Sequence, residues 1–298
     1  MKNIFFEIDM KKYPNVLFLG NGILRLGEKS SSWGVLINNI KMREGKINIS
    51  DIPYAMQPEA VCGVDVEEIQ RRVANNISTA QETNPILANL LSLPFDAILT
   101  TNYTYEIESV LSGKPFTRNA RKAAFFALDG NTKVNHNTFV CNVVRKTDGS
   151  IIPVFHVHGE AERKHSLVLS YYSYAKSVSL LQQYNRDKLG NNLYQKQIQD
   201  ERHLCRCWLD YFIMGNVWSV GLGLDVSEFD IWWAIERKAR ENASHGKFKA
   251  YLDRMVEEKP QAVLLDAMDM EYEIYPVSNG NFLEMYQKAY ADIQQEII

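Results

Sequence analysis

Four short blocks of this 298-residue chain hold the residue types that do chemistry: Gly20-Asn21-Gly22-Ile23, Thr100-Thr101-Asn102-Tyr103, His156-Val157-His158-Gly159 and Gly221-Leu222-Gly223-Leu224. A glycine turn after a strand lets the backbone approach a diphosphate, whose charge the following N–H groups accept. The first glycine block is not a complete dinucleotide fingerprint, because Arg25 stands where the third glycine would fall. It also reads as an ordinary strand-to-helix turn. Asn102 carries a donor and an acceptor, so it can hold a ribose hydroxyl and a water together. Thr and Asn in that block also read as caps of a helix running to Leu111.

Imidazole is the side chain best suited to proton transfer near neutral pH. His158 ends its strand next to a glycine, where access is easiest, and is the preferred proton acceptor. In a strand His156 points the same way, and it reads as a satisfied core or edge histidine. No third histidine or carboxylate stands at a spacing that would complete a metal site with the pair. The second glycine block runs into Asp225-Val226-Ser227-Glu228-Phe229-Asp230, which reads as a helix start capped by Ser227. That is a second place for a ribose or phosphate. Trp232 and Trp233 read as core, and the basic run from Arg237 to Arg240 as a solvated helix face.

The elements that must position these blocks follow from hydrophobic periodicity. Strands are predicted at 16–19, 96–101, 216–221, 248–252 and 272–277, with a hairpin over 139–146 and 151–158. Helices are predicted at 33–41, in two pieces over 65–91, and at 105–111, 171–184, 192–214, 227–241, 261–268 and 282–296. This alternation specifies an α/β fold: a Rossmann-like open, mainly parallel sheet with helices on both faces. One domain is expected over 1–298, with a helical insertion or lid over 165–214.

Composition narrows the function classes. The balance of 33 basic against 36 acidic residues, net −3, offers no electrostatic capture of nucleic acid or an anionic membrane. Cys62, Cys141, Cys205 and Cys207 form no disulfide framework and no paired zinc-ligand pattern. The opening MKNIFFEIDMKKYPN has too short an apolar run for a signal peptide, and no stretch approaches the ~20 apolar residues of a membrane span. A cytoplasmic, reduced protein is expected.

The order of the blocks, GNG, TTNY, HVHG and GLGL, resembles the SIR2 superfamily, and specifically its bacterial SIR2-like branch. The resemblance runs from about Val16 to about Tyr290, though only the short blocks are specific. It implies NAD as substrate, with Asn102 and His158 catalytic. It implies that Gly20, Asn21, Gly22, Ile23, Thr101 and Thr104 bind the cofactor. Gly221, Gly223, Leu224 and Ser227 would hold its adenosine side. The segment GLGLDVSEFDIWWAIERKAR is similar to stand-alone bacterial SIR2-like proteins associated with antiphage defence through NAD depletion. The expected activity is therefore NAD+ glycohydrolysis, without a metal. A homo-oligomer or a partner protein in a defence complex is expected as well.

Three departures separate the chain from sirtuin deacylases. Leu24-Arg25-Leu26-Gly27 replaces their proline-aspartate-phenylalanine-arginine element. Only Cys205 and Cys207, on an expected helix, stand where deacylases carry four zinc cysteines. Thr104 replaces the acid that commonly follows the catalytic Asn by two, and TTNYT also resembles the abortive-infection family of the AbiH type. A deacylase without the zinc module and a non-catalytic NAD-binding subunit of a defence complex are the alternatives. In the latter the 171–214 stretch is either a docking surface or a lid packed on the core.

Overall fold

The computed structural model describes residues 7–9, 12–24, 26, 32–42, 48–77, 84–128, 136–185, 202–241, 246–253, 260–275, 277 and 281–298. Ten strands are present among them. They are β1 (Glu7–Asp9), β2 (Asn15–Leu19), β3 (Ala97–Thr100), β4 (Phe125–Ala127), β5 (Val140–Arg145), β6 (Ile151–His156), β7 (Arg202–Leu204), β8 (Asn216–Val220), β9 (Phe248–Asp253) and β10 (Glu271–Tyr275).

Eight strands form one sheet in the order β10-β9-β8-β2-β3-β6-β5-β4. The six from β10 to β6 run parallel. β5 and β4 extend the sheet antiparallel beyond β6. The architecture is the Rossmann-like open α/β sheet that the alternation of elements specifies. Within this sheet the chain starts at β2, builds outward through β3 and β6, then returns to the other side of β2 with β8, β9 and β10. That reversal places the topological switch point between β2 and β8, and ligands of open α/β sheets bind outside the carboxyl ends of strands at such a point.

Strand periodicity explains why both faces are covered. In β2, Val16 and Phe18 face one apolar cluster, with Trp208, Phe212, Ile231 and Ile235. Leu17 and Leu19 face the other, with Leu87, Leu90, Ile107 and Ile293. Alternate side chains of a strand leave on opposite faces, so a run such as VLFL is apolar throughout only when both faces are buried. A third cluster joins the helices at Trp33–Ile40, Gln57–Cys62 and Val66–Asn76 through Ile37, Ile40, Val61, Ile69 and Val73. Leu167 and Leu169, downstream of β6, complete it.

Helix starts follow their caps. Asn84 caps Pro85–Ser92, its side chain accepting from the Leu87 N–H, and Pro85 occupies the first turn. Two expectations are corrected. The pattern over 192–214 is not one helix: among its described residues, β7 pairs antiparallel with β1, and only Trp208–Met214 is helical. Cys207 is the cap of that helix and Cys205 precedes it, so the two thiols do not share a helical face. The helix expected to begin at Ser227 runs Phe229–Arg240, with Glu228 at its N-cap. Asp225 accepts the Ser227 N–H and hydroxyl, which folds that segment into a turn before the helix begins. Residues 186–201 of the expected insertion lie outside the described residues. No helix among the described residues is long and apolar enough to cross a membrane.

Lys238 is fully buried on the Phe229–Arg240 helix. Its ammonium donates to the carbonyls of Phe212 at 3.1 Å, Ile213 at 2.9 Å and Gly215 at 2.8 Å. These are the orphan carbonyls at the end of Trp208–Met214, the helix that feeds β8. Lys238 thus does not belong to a solvated face, although it sits within the basic run. Lys238→Met strands buried acceptors, and a stability loss of about 3 kcal/mol is expected in urea denaturation. A loss below about 0.5 kcal/mol, the range of ordinary surface substitutions, would show that those carbonyls find other donors.

Candidate functional site

The carboxyl ends of β8, β2, β3 and β6 meet at one edge of the sheet. Thr100 is in register with His156 across β3 and β6. Asn102 and His158 each lie two residues beyond those partners, on the same edge. On the other flank, the Gly20 N–H donates to the Val220 carbonyl and the Gly22 N–H to the Gly221 carbonyl, both at 2.9 Å. The two glycine turns therefore pack backbone against backbone. A Cβ on Gly20 would lie 2.3 Å from the Gly221 carbonyl oxygen. Gly221 itself has φ +73°, a conformation that favours glycine.

This packing changes what the glycine turns offer. The N–H groups of Gly20 and Gly22 face β8 and are already bonded, so they do not point at a ligand. Ile23 is buried in the core. Gly223 is exposed, with open space where a Cβ would stand. Leu224 is buried with φ +46°, an uncommon conformation for a bulky residue. Ser227 is buried, and its hydroxyl donates to Asp225 while accepting the Ala55 N–H at 3.0 Å. It fastens the segment before Gln57–Cys62 to the second glycine turn.

Asn102 is 4% exposed, and its polar groups divide sharply. Its N–H donates to Thr100 Oγ1 at 3.0 Å, and its backbone carbonyl lies 2.6 Å from His156 Nδ1. Its Nδ2 reaches the Gly20 carbonyl at 3.4 Å. Oδ1 is buried without a partner. A carbonyl at Gly20 can only accept, so the amide donor must face it and Oδ1 is the atom left for a ligand. Thr101 is half-buried and donates its N–H to the Leu19 carbonyl. Thr104 hydrogen-bonds Glu106 on the following helix.

The two histidines do not point the same way. β6 ends at His156, and the Gly159 N–H returns to the His156 carbonyl in a turn with Gly159 at φ +94°. That turn rotates His158 away. His156 is the satisfied buried histidine: its Nε2 lies 2.7 Å from Glu108 Oε1. His158 Nε2 lies 3.2 Å from Asp230 Oδ1, and its ring meets Tyr174 edge to face. His158 and Asp230 are both at most 2% exposed. Burial works against the imidazolium, but Asp230 and Glu228 outweigh it and hold the His158 pKa above the ordinary value. Burial also lifts Glu228, with Asp230 and Asp225 adding to it against the pull of His158, to about 7.

Asp230 is the residue that sequence reasoning missed. It sits 72 positions from His158, and its place at a helix start made it look like a dipole partner. A carboxylate in the first turn of a helix that follows a strand-end glycine block was the available signal. Behind His156 lies a second buried group. Arg121 and Arg163 pair with Glu160, which Asn142 and Tyr105 also approach. Burial opposes that charge, yet Arg121, His156 and Arg163 bring Glu160 down to about 2. Cys205 and Cys207 are buried in the main core, which pushes both thiols up. Among the described residues no group of three or more His, Cys, Asp or Glu is arranged to hold a metal ion.

No family model and no curated protein sequence matches the chain. The fold and the site define a Rossmann-like α/β protein with a polar, largely buried edge at its topological switch point. The joint at that edge is testable. Gly20→Ala drives a Cβ into the Gly221 backbone, and a loss of about 3 kcal/mol is expected in thermal or chemical denaturation. Gly223→Ala, which meets nothing within 4 Å, should leave stability unchanged. Equal stability of the two variants would show that the turns part easily.

Proposed function

We propose that the protein is an NAD+ glycohydrolase acting at this edge. The observation that carries the reading is Asn102 Oδ1, a buried and unpartnered acceptor on the same sheet edge as a buried His–Asp pair. An unpaired buried acceptor costs about 1–3 kcal/mol unless something donates to it. A ribose hydroxyl or a water is a donor of the right kind.

The chemistry follows from the groups present. Water attacks C1′ of the nicotinamide ribose, and the C–N bond to nicotinamide breaks. The electron pair leaves on the nicotinamide nitrogen, which becomes neutral. The sugar passes through an oxocarbenium-like state, as in other glycoside cleavages. Asn102 Oδ1 orients the water or the ribose, a contribution of position. Asp230 holds His158 Nε2–H, which leaves Nδ1 to take the proton from water. His158 Nδ1 has no hydrogen-bond partner among the described residues.

The acids Asp225, Glu228 and Asp230 gather beside the second glycine turn. They favour hydroxyl groups over phosphates, which supports a ribose at Gly221–Leu224, with Ser227 holding the turn's shape. The glycine turns supply a close floor at Gly20–Ile23 rather than a ring of free amides. The buried cysteines favour hydrolysis over deacylation, because the two thiols nearest a zinc-module position are in the core. The antiphage role rests on the resemblance of the sequence blocks. It is tested by phage plating on cells that carry wild type or Asn102→Ala.

Purified protein should release nicotinamide from NAD+, and Asn102→Ala and His158→Ala should lower kcat by about 100-fold or more. Equal turnover in all three would sink the assignment. His158 acts as a base in its neutral form, so kcat should rise as pH rises through its elevated pKa. Asp230→Asn removes the carboxylate that raises that pKa. Its pH–kcat profile should shift to lower pH while the plateau falls. An unshifted profile would separate Asp230 from His158.

A further inference from the structure

His156 is a buried histidine to which the reaction above gives no task. Its Nδ1 lies 2.6 Å from the carbonyl oxygen of Asn102, and its Nε2 lies 2.7 Å from Glu108 Oε1. A carbonyl oxygen only accepts, so Nδ1 carries a proton and donates it. Glu108 is wholly buried on the helix Glu106–Ser112, and Asn142 from β5 donates to the same Oε1 at 2.9 Å. Tyr105 packs edge to face on the imidazole. The ring is therefore fixed on both nitrogens and on one side.

The Asn102 N–H is fixed by Thr100 Oγ1, which in turn donates to the Leu19 carbonyl. The His156 bond fixes the other end of the residue. With both backbone groups held, the side chain has one free polar atom and one direction for it. We infer that His156 is the positioning residue for Asn102: its Nδ1–H clamps the Asn102 carbonyl, and Glu108 locks the imidazole that does so. The inference rests on the glycohydrolase reading for its effect on turnover, but not for its effect on the backbone.

The same arrangement predicts a pH response. The groups facing His156 are Glu106 and Glu108 on the helix, Tyr105 before it, and Glu160 after β6 with its Arg121 and Arg163 partners. Burial opposes the charged ring, but Glu108 and Glu160 outweigh it and lift its pKa to about 9. A raised pKa means that the clamp is complete well below that value and weakens as pH rises through about 9.

The test uses full-length wild type, His156→Ala, His156→Gln and Glu108→Gln. It combines NAD+ turnover with hydrogen–deuterium exchange across Thr101–Thr104. His156→Ala should lose about 100-fold in kcat with KM within about threefold, because a misplaced orienting group costs rate more than binding. Amide exchange at Thr101–Thr104 should become faster. Gln carries an amide that can donate to the same carbonyl, so His156→Gln should regain part of both. Glu108→Gln should move the alkaline loss of kcat below its wild-type position. Wild-type kcat and exchange in His156→Ala would overturn the inference, as would equal losses in the Ala and Gln variants. Should His156→Ala not fold, wild-type kcat and exchange in both His156→Gln and Glu108→Gln would overturn it. If the wild type cleaves no NAD+, the glycohydrolase reading fails, and the exchange comparison alone decides the role of His156.

Discussion

The approach of Gly20 to Gly221 is the constraint on which this edge of the sheet depends. β2 and β8 are neighbours whose crossover connections leave in opposite directions, and their two glycine turns meet at the ends of the strands. The turns close it by backbone contact: the Gly20 and Gly22 N–H groups are spent on Val220 and Gly221 carbonyls. Because the Gly20 carbonyl faces the other way, it is free to receive Asn102 Nδ2. One contact between glycines thus sets the sheet joint and the orientation of the central amide.

Two histidines separated by one residue have opposite electrostatic settings, and the backbone creates the difference. His156 is the last strand residue, so it faces the helix Glu106–Ser112 and its Glu108. His158 lies within the turn closed by Gly159, so it faces the helix Phe229–Arg240 and its Asp230. A Cβ on Gly159 would lie 2.2 Å from the Ser166 carbonyl oxygen, so the turn admits no larger residue in this form. Both rings are buried and both have carboxylate partners. Only His158 keeps a ring nitrogen without a hydrogen bond in the described structure. That asymmetry is what distinguishes a group able to take up a proton from one that holds its neighbours.

Much of the fold was legible because strand and helix periods are strong where both faces of the sheet are buried. The apolar runs VLFL, AILT and NVWSV became β2, β3 and β8, and their order produced the parallel sheet. The glycine and asparagine blocks did fall at strand ends on one edge. What failed was local: Asx-type chemistry at Asp225 delayed the helix past Ser227, and β7 interrupted the helical pattern before Trp208. The site's acids were illegible for a different reason. Glu108, Glu160 and Asp230 look like helix-surface or loop charges along the chain, and only the packing of distant elements buries them. Burial of a carboxylate beside a histidine is a property of three dimensions, with no periodic trace in one.

The pairing of β2 with β8 has a consequence for how the chain comes to fold. Asn15 and Asn216, at the start of the two strands, are in register and 201 positions apart. During synthesis β2 can pair with β3 early, but its other edge has no strand to accept until β8 emerges. For most of the time on the ribosome, the central strand of the finished sheet is an edge strand with unpaired N–H and C=O groups. Such edges invite pairing with other chains, and long-range closure of this kind is slow. The first glycine turn acquires its partner, and His158 its carboxylate, only in the last third of translation. A nascent chain therefore carries the sequence blocks of the site long before it carries the site.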